Sequence, residues 1–522
     1  MERSHRRRIW RRAAWHVTGL LALLWFLVRV IPRPSRALYP CQRAAFPYAS
    51  AFVVWLIAGS GAASLLRKAH RHVCINRRVA AAGCAAIGVL CLWFAMTATS
   101  DSRTLAQAGD AHGPLGQGRG ILPGRVIWVH DPNATSWAGR SLPSDPLYTS
   151  QPHVDAIVAQ AVRLLSGETD DKRAWDAIFK HFNRERGKGA TGYTRGQKIA
   201  IKVNLTTCGQ RNASVNPLSY DKKKLLTSAD TSPQIIVALL RQLVRRAQVD
   251  PNNIAVGDTL CLFPNQWWRT CHDEFPQVTY FDALGQKGRT KSVPSRVVQH
   301  WSALGATGTH LADYIPKVFA EADYVINIAV LKSHLAGVSL CAKNHYGSLN
   351  RHPDDKSYFD LHQSLAYNRP QAGQYRAFVD IMGHPGLGAK TLLYLIDGLY
   401  GGSRWQATPQ RFQSAPFNND WPSTILASLD PVAIDSVGLD ILSQEWPDVV
   451  RIPAVDDYLH EAALANDPPS GTLYDPDGDG TPLRGLGVHE HWNNAADRKY
   501  SRNLGKGTGI ELIYTRGEKL NR

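Results

Sequence analysis

No two of the eight cysteines in this chain stand as a CxxC pair, and that absence excludes ferredoxin-type cluster runs and the commoner zinc knuckles. Acidic residues are missing from the beginning: between Met1 and Arg78 a single one, Glu2, faces 15 lysines and arginines. That stretch carries +14 of the formal +17, while the remainder is close to balanced, with 45 basic and 42 acidic residues. A basic excess spread over a fold would point to nucleic acid or another polyanion. One confined to the flanks of hydrophobic segments points to membrane topology, because Lys and Arg resist transfer across a bilayer. Nucleic acid is therefore set aside as a partner and the lipid bilayer takes its place. Cys208, Cys261, Cys271 and Cys341 follow the hydrophobic region, and one or two disulfides among them are open if that part is exported.

Three motif-like segments each lack what their chemistry requires. Gly383 to Thr391 (GHPGLGAKT) looks like a phosphate loop, but Ala389 separates Gly388 from Lys390 and the segment precedes a strand instead of opening a helix. Asp475 to Gly480 (DPDGDG) alternates carboxylates like a calcium loop, yet Leu486 stands where the bidentate Glu belongs, so an ordinary Asp/Gly turn is the better reading. His489 and His491 flank Glu490 in HEHW, which is not HExxH; on a strand both histidines would share a face, and no role is assigned to them.

Three apolar stretches are present: Ala13 to Val30, Phe46 to Leu66 and Val79 to Thr97, each near the ~20 residues that a helix needs to cross a bilayer. Six arginines between Arg3 and Arg12 precede the first, and Arg67, Lys68, Arg71, Arg77 and Arg78 lie between the second and third. Both groups belong on the cytoplasmic side. The expectation is a multi-pass protein of the cell (inner) membrane, with its N-terminus cytoplasmic and a large C-terminal domain outside. A cleaved signal peptide competes for the first stretch, but no small-x-small site follows it closely. A buried hairpin competes for the other two, but their length and lack of charge oppose it.

Residues 1–98 are thus read as the anchor, 99–124 as a Gly- and Ala-rich linker, and 125–522 as the folded domain. Strand candidates are Arg125 to His130, Lys198 to Leu205, Ile254 to Gly257, Val278 to Phe281, Tyr324 to Leu331, Thr391 to Ile396 and Thr424 to Ala427. Helices are expected from His153 to Leu165, from Ser232 (with Ser232 as the side-chain cap) to about Ala247, and from Pro431 toward Leu442, capped by Asp430. The alternation predicts an α/β fold: a mainly parallel sheet with helices on both faces, preceded by three transmembrane helices. Ligands of such sheets collect at the carboxyl ends of the strands.

Polar residues crowd those predicted ends. Lys332, Ser333 and His334 follow the longest apolar strand, and Lys343, Asn344, His345, Tyr346 and Gly347 come soon after. Two lysines and a histidine suit an anionic group or a metal-bound oxyanion, against the plainer reading of a solvated loop. Asp258, Asp380, Asp397, Asp430 and Asp435 form a carboxylate set. With His334 these could hold a divalent or transition metal, although each alone more often caps a helix; Asp258, Asp397 and Asp435 are the favoured ligands.

The motifs IKVNL (Ile201 to Leu205), TSPQ (Thr231 to Gln234), VGD (Val256 to Asp258), ADYVINIAVLKSH (Ala322 to His334), AKNHYG (Ala342 to Gly347) and LASLDPVAIDSVG (Leu426 to Gly438) occur in this order. On them the chain resembles the domain-of-unknown-function family 362 (DUF362), and the apolar stretches lie outside the resemblance. The family's activity is not established as a class; some members carry iron-sulfur modules, whose cysteine motif this chain lacks. The resemblance implies a pocket made by Lys202, Asn204, Asp258, Lys332, His334, Lys343, Asn344, Asp397, Asp430 and Asp435. The leading expectation is an enzyme-like domain in which Lys332 and Lys343 hold an anion and His334 is the acid-base group or ligand. Lys202, Asn204, Asn344 and Asp430 would line the site, and the aspartates would bind metal. The alternatives are a non-catalytic ligand-binding or assembly module, or an electron-transfer partner using a cofactor from another subunit.

Overall fold

The structure is a computed structural model that describes residues 113–209, 214–223, 229–303, 313–334, 337–350, 361–449 and 452–518, with isolated helical positions between Leu20 and Lys68. Apart from those positions, the three predicted spans and most of the predicted linker lie outside the described residues. Among the described residues no helix is long and apolar enough to cross a membrane.

Pro114–Arg522 forms one compact unit built on a ten-stranded sheet. Nine strands carry it: β1 (Arg125–His130), β2 (Ile199–Val203), β3 (Ile254–Gly257), β4 (Thr279–Asp282), β5 (Thr290–Lys291), β6 (Tyr324–His334), β7 (Thr391–Gly402), β8 (Thr424–Ser428) and β9 (Glu511–Arg516). Their spatial order is β9-β1-β8-β7-β6-β2-β3-β4-β5, and Gly337–Val338 folds back on the end of β6 as the tenth strand. Apart from that antiparallel turn-back, every neighbouring pair is parallel except those made by β8, which runs against β1 and β7. The mainly parallel α/β reading therefore holds. The last strand, β9, was not anticipated; its apolar residues are too few and its burial too partial to announce it.

Alternation along the central strands divides the apolar residues between two cores, as a period of two requires. Tyr324, Ile326 and Ile328 of β6 pack on one face with Ile201, Val203, Leu393 and Leu395, while Val325, Ala329 and Leu331 pack on the other. The first face is covered by helices α1 (Gln151–Ser166), α2 (Asp171–Glu185), α3 (Pro233–Arg241) and α4 (Asn265–His272). Val154, Ile157, Val158, Ala161, Val162 and Leu165 form the buried stripe of α1, which stops where Gly167 turns left-handed and donates its N–H to the Arg163 carbonyl. The second face is covered by α5 (Cys341–Asn344), α6 (Ala377–Gly383), α7 (Pro431–Glu445) and α8 (Asp457–Ala463).

Two local expectations need correction. Ser232 stands at the N-cap of α3, but its hydroxyl makes no capping bond; the Asp397 carboxylate, reaching across from β7, accepts the Ser232 N–H at 2.7 Å instead. The disulfide option also fails among the described residues, since Cys208, Cys261, Cys271 and Cys341 are all free and buried. Burial pushes each of these thiols upward, so they pack as small apolar groups.

Candidate ligand site at the carboxyl edge

Strands β6, β2 and β3 run side by side; β2 and β3 end level with each other while β6 runs on to His334, and this edge presents charged groups that the fold buries. Lys202, on β2 between apolar Ile201 and Val203, points to the face opposite its neighbours. Its ammonium donates to Asp258 Oδ2 (2.8 Å), the Val203 carbonyl (2.5 Å) and Asn344 Oδ1 (3.0 Å). Asp258, at the tip of β3, also accepts the N–H groups of Leu260 and Cys261, at 2.9 and 3.2 Å. Both partners of the ion pair are almost fully buried. Gly347 is what lets them come so close: a Cβ there would stand 3.1 Å from both Asp258 oxygens and from Lys202 Nζ.

Asn344 is the hub. Its Oδ1 accepts from Lys202 and from Asn204 Nδ2 (3.2 Å), and its Nδ2 donates to Asn327 Oδ1 (2.7 Å) and the Ile328 carbonyl (3.0 Å). Asn327, a polar residue inside the buried run of β6, holds the Cys341 carbonyl at 2.9 Å and so fastens α5 to the sheet. Asn204 Oδ1 in turn accepts from Lys332 Nζ at 3.0 Å.

Lys332 is wholly buried on the opposite face of β6 from Asn327, and its second bond goes to the Ala229 carbonyl at 2.6 Å. An ammonium has three protons, and these two partners are neutral oxygens. Burial pulls its pKa downward, and the neighbouring Asp230 opposes that without reversing it. Asp230 is bonded to Lys222, whose ammonium also donates to Thr207 Oγ1 at 3.0 Å. Burial alone would lift Asp230 and depress Lys222, but each overrules that for the other, leaving Asp230 below and Lys222 above its ordinary value. Asp397 lies on the Lys332 face, but its oxygens accept from Ser232 and Leu399 N–H, and burial pushes it up to about 6. A small cleft of about 20 Å³ opens beside this cluster, walled by Lys222, Ala229, Asp230, Ser232, Trp267 and Tyr400.

His334 and Lys343 form a neighbouring, less enclosed group. The His334 ring stacks near His362 (5.9 Å between centroids) and Trp405 (6.3 Å), and the Lys343 ammonium lies 4.4 Å from the centre of the Tyr346 ring. Burial, then Lys343 and His362, hold His334 down at about 2, so it is a neutral imidazole across the physiological range. It can accept or donate one hydrogen bond but cannot serve as a cationic acid.

Three predicted residues are elsewhere. Because β8 runs backwards, Ser428 pairs with Val126 at the start of β1 and Asp430 falls at the amino edge of the sheet. There its Oδ1 caps α7 through Val432 and Ala433 N–H, both at 2.9 Å, and its Oδ2 accepts from Arg119 and Val488 N–H. Asp435 faces the N-terminus of α5 and accepts the Cys341 and Ala342 N–H groups at 2.8 and 3.0 Å, with the Tyr458 hydroxyl at 3.2 Å. Asp380 accepts from the remote Ser302 N–H (3.0 Å) and from the Tyr375 hydroxyl (2.7 Å) just before its own helix. Among the described residues Asp258, Asp397 and Asp435 do not converge as a metal-ligand group; each is engaged with backbone N–H groups or an ammonium. Lys390, of the phosphate-loop look-alike, donates to the carbonyls of Phe319, Ala320 and Ala322.

Lys222, Asp230 and Asn327 were missed in the sequence. Asn327 had a signal, a single amide inside an otherwise apolar strand. Lys222 had none, because only the fold carries it back to β2. Also missed were Asp456, His460 and Asp440, which gather around His489 and His491.

Residues 199–440 match the family described as a domain of unknown function, DUF362. The matched stretch begins with β2, ends in α7 and contains the whole strand-tip network, which supports the resemblance seen in the motifs. No curated protein and no solved structure matches the chain.

Proposed function

We propose that the strand-tip network of the DUF362 stretch binds a small oxyanion, in an enzyme-like domain held at a membrane by the N-terminal apolar stretches. The observation that carries the reading is Lys332: a fully buried ammonium with two neutral oxygen partners, next to a cleft and to a second buried lysine, Lys222. Isolated buried charge is costly, and an anion in the cleft would offset that cost. Lys202 and Asp258 supply a rigid, mutually neutralised floor, and Asn204 and Asn344 connect it to Lys332. Lys343 and neutral His334 would meet the more exposed part of a ligand through an ammonium and a single imidazole hydrogen bond.

Calorimetric titration of the full chain in detergent with inorganic phosphate, sulfate and malonate tests the site. Saturable binding of at least one of them is expected, and Lys332→Met should abolish it while leaving the far-ultraviolet circular dichroism unchanged. Failure of all three, or binding indifferent to Lys332→Met, counts against the site. The membrane placement rests on the +14 charge of residues 1–78 and the apolar stretches it flanks. A reporter fused after Arg522 should be active outside the cytoplasm and silent inside it.

A further inference from the structure

The strongest unassigned chemistry in the molecule lies beyond residues 199–440, where Asp456, His460, His489 and His491 meet. Asp456 and His460 are four residues apart at the start of α8, so their side chains share a face. His489 ends the short strand Val488–His489, and His491 follows two residues on. The fold brings the two pairs together. One ligand atom each from Asp456, His460 and His489 lies within 4.8 Å of the others. His491 Nε2 is 3.3 Å and His460 Nε2 is 3.7 Å from Asp456 Oδ2. The His489 ring is 4.8 Å from the His460 ring and 4.9 Å from the His491 ring, centre to centre.

Hydrogen bonds on the far side of two rings decide where the lone pairs point. The Ser436 hydroxyl donates its proton to the Val432 carbonyl at 2.7 Å, so toward His489 it can only accept; His489 Nδ1, at 2.8 Å, must carry the hydrogen. His491 Nδ1 is 2.5 Å from Asp440 Oδ1, and Asp440 Oδ2 is fixed by the Tyr500 hydroxyl and the Trp492 N–H. With its Nδ1 protonated, the His489 ring directs its Nε2 lone pair inward. His491 differs: its Nε2 donates to the Asp456 carboxylate at 3.3 Å. His460 Nε2 is buried, on a side chain 9% exposed, and makes no hydrogen bond. The Asp456 carboxylate and the His460 and His489 imidazoles thus face one another.

We infer that Asp456, His460 and His489 form a binding site for a divalent transition metal of the zinc class, with Ser436 as the outer partner that orients His489. Neutral imidazole with a carboxylate suits such a metal, and a hydrogen-bonded Nδ1 on each ligating ring is the usual supporting arrangement. In a tetrahedral site with bonds of about 2.0–2.1 Å, ligand atoms stand roughly 3.3 Å apart; the His460–Asp456 edge is 3.7 Å and all three atoms lie within 4.8 Å, so a modest closure completes the set. Three protein ligands leave the fourth position open. The metal ties α8 to the 488–491 segment, which Ser436 holds against α7. The inference stands independently of the anion site.

The test is cobalt substitution of the full-length protein in detergent, after chelator treatment. One equivalent of Co²⁺ should give the intense visible band of tetrahedral coordination, and Zn²⁺ should displace it. X-ray absorption of the zinc form should show two imidazoles with the remaining ligands oxygen. The double variant His460→Gln/His489→Gln should lose the band, Ser436→Ala should weaken affinity by about 10–100-fold, and Asp477→Asn, in the acidic turn, should leave it unchanged. Absence of a tetrahedral band, a sulfur-rich or all-oxygen shell, or a band that survives the double variant would each overturn the site. If the double variant does not fold, the spectra of the unaltered protein decide alone.

Discussion

The strand-tip lysines and the α8 histidines are both buried polar clusters, yet they are opposites in chemistry. At the sheet edge, Lys202, Lys222 and Lys332 supply more protons than the surrounding oxygens take up, and most contacts are already closed: ammonium to carboxylate, amide to amide. Around α8 a carboxylate and two imidazoles, those of Asp456, His460 and His489, are directed at one another. The first arrangement suits an anion and the second a cation. The difference teaches that burial alone does not define a site; which protons and lone pairs remain after internal pairing does.

The comparison breaks most visibly at Asp258. Replacing it with Ala leaves buried Lys202 without its carboxylate, and equilibrium denaturation should show a loss of about 3–5 kcal/mol. A chelator should not change that value, because the metal-ligand cluster is separate. Saturating zinc acts on the other cluster: at about 100 times the dissociation constant it should raise stability by about 2.7 kcal/mol, read as an increase in Tm that His489→Gln abolishes. Asp435→Ala removes the group that holds the Cys341 and Ala342 N–H groups, and a loss of about 1–2 kcal/mol is expected by the same denaturation assay.

The smallest effect is a pH slope. Burial, then Lys202, hold His345 down at about 3, below its unfolded value, so the folded state keeps it neutral. As pH falls below about 6.5 the unfolded chain gains a proton that the native state refuses, and stability drops by about 1.4 kcal/mol per pH unit until about pH 3. His345→Gln should flatten the measured slope by that amount between pH 6 and 5, while imidazole NMR should show His334 still neutral there.

How much could be read beforehand depended on the range of the interaction involved. β1 and β3 were legible to the residue, because strand formation follows local apolar patterning and the polar residue that ends it. The α7 cap at Asp430 was legible for the same reason: cap and helix are adjacent in sequence. Its membership of the ligand site was not, because the direction of β8 placed it at the other edge. Ser232 misled because the carboxylate that takes its N–H lies 165 residues away. His489 and His491 were noticed as a pair sharing a face, but Asp456 and His460 reach them only through the packing of α8.

The sequence by itself determined the charge asymmetry, the succession of strands and helices, and the crowding of Lys202, Asn204, Asp258, Lys332 and Asn344 at strand ends, since each is a property of neighbours along the chain. Only the tertiary structure decided which aspartates pair with lysines and which merely hold backbone N–H groups, and only it brought three metal-ligand candidates, Asp456, His460 and His489, from two segments to one point. The physical reason is that a carboxylate or imidazole acquires its role from the protons within about 3 Å of it, and here most of those protons come from remote parts of the fold.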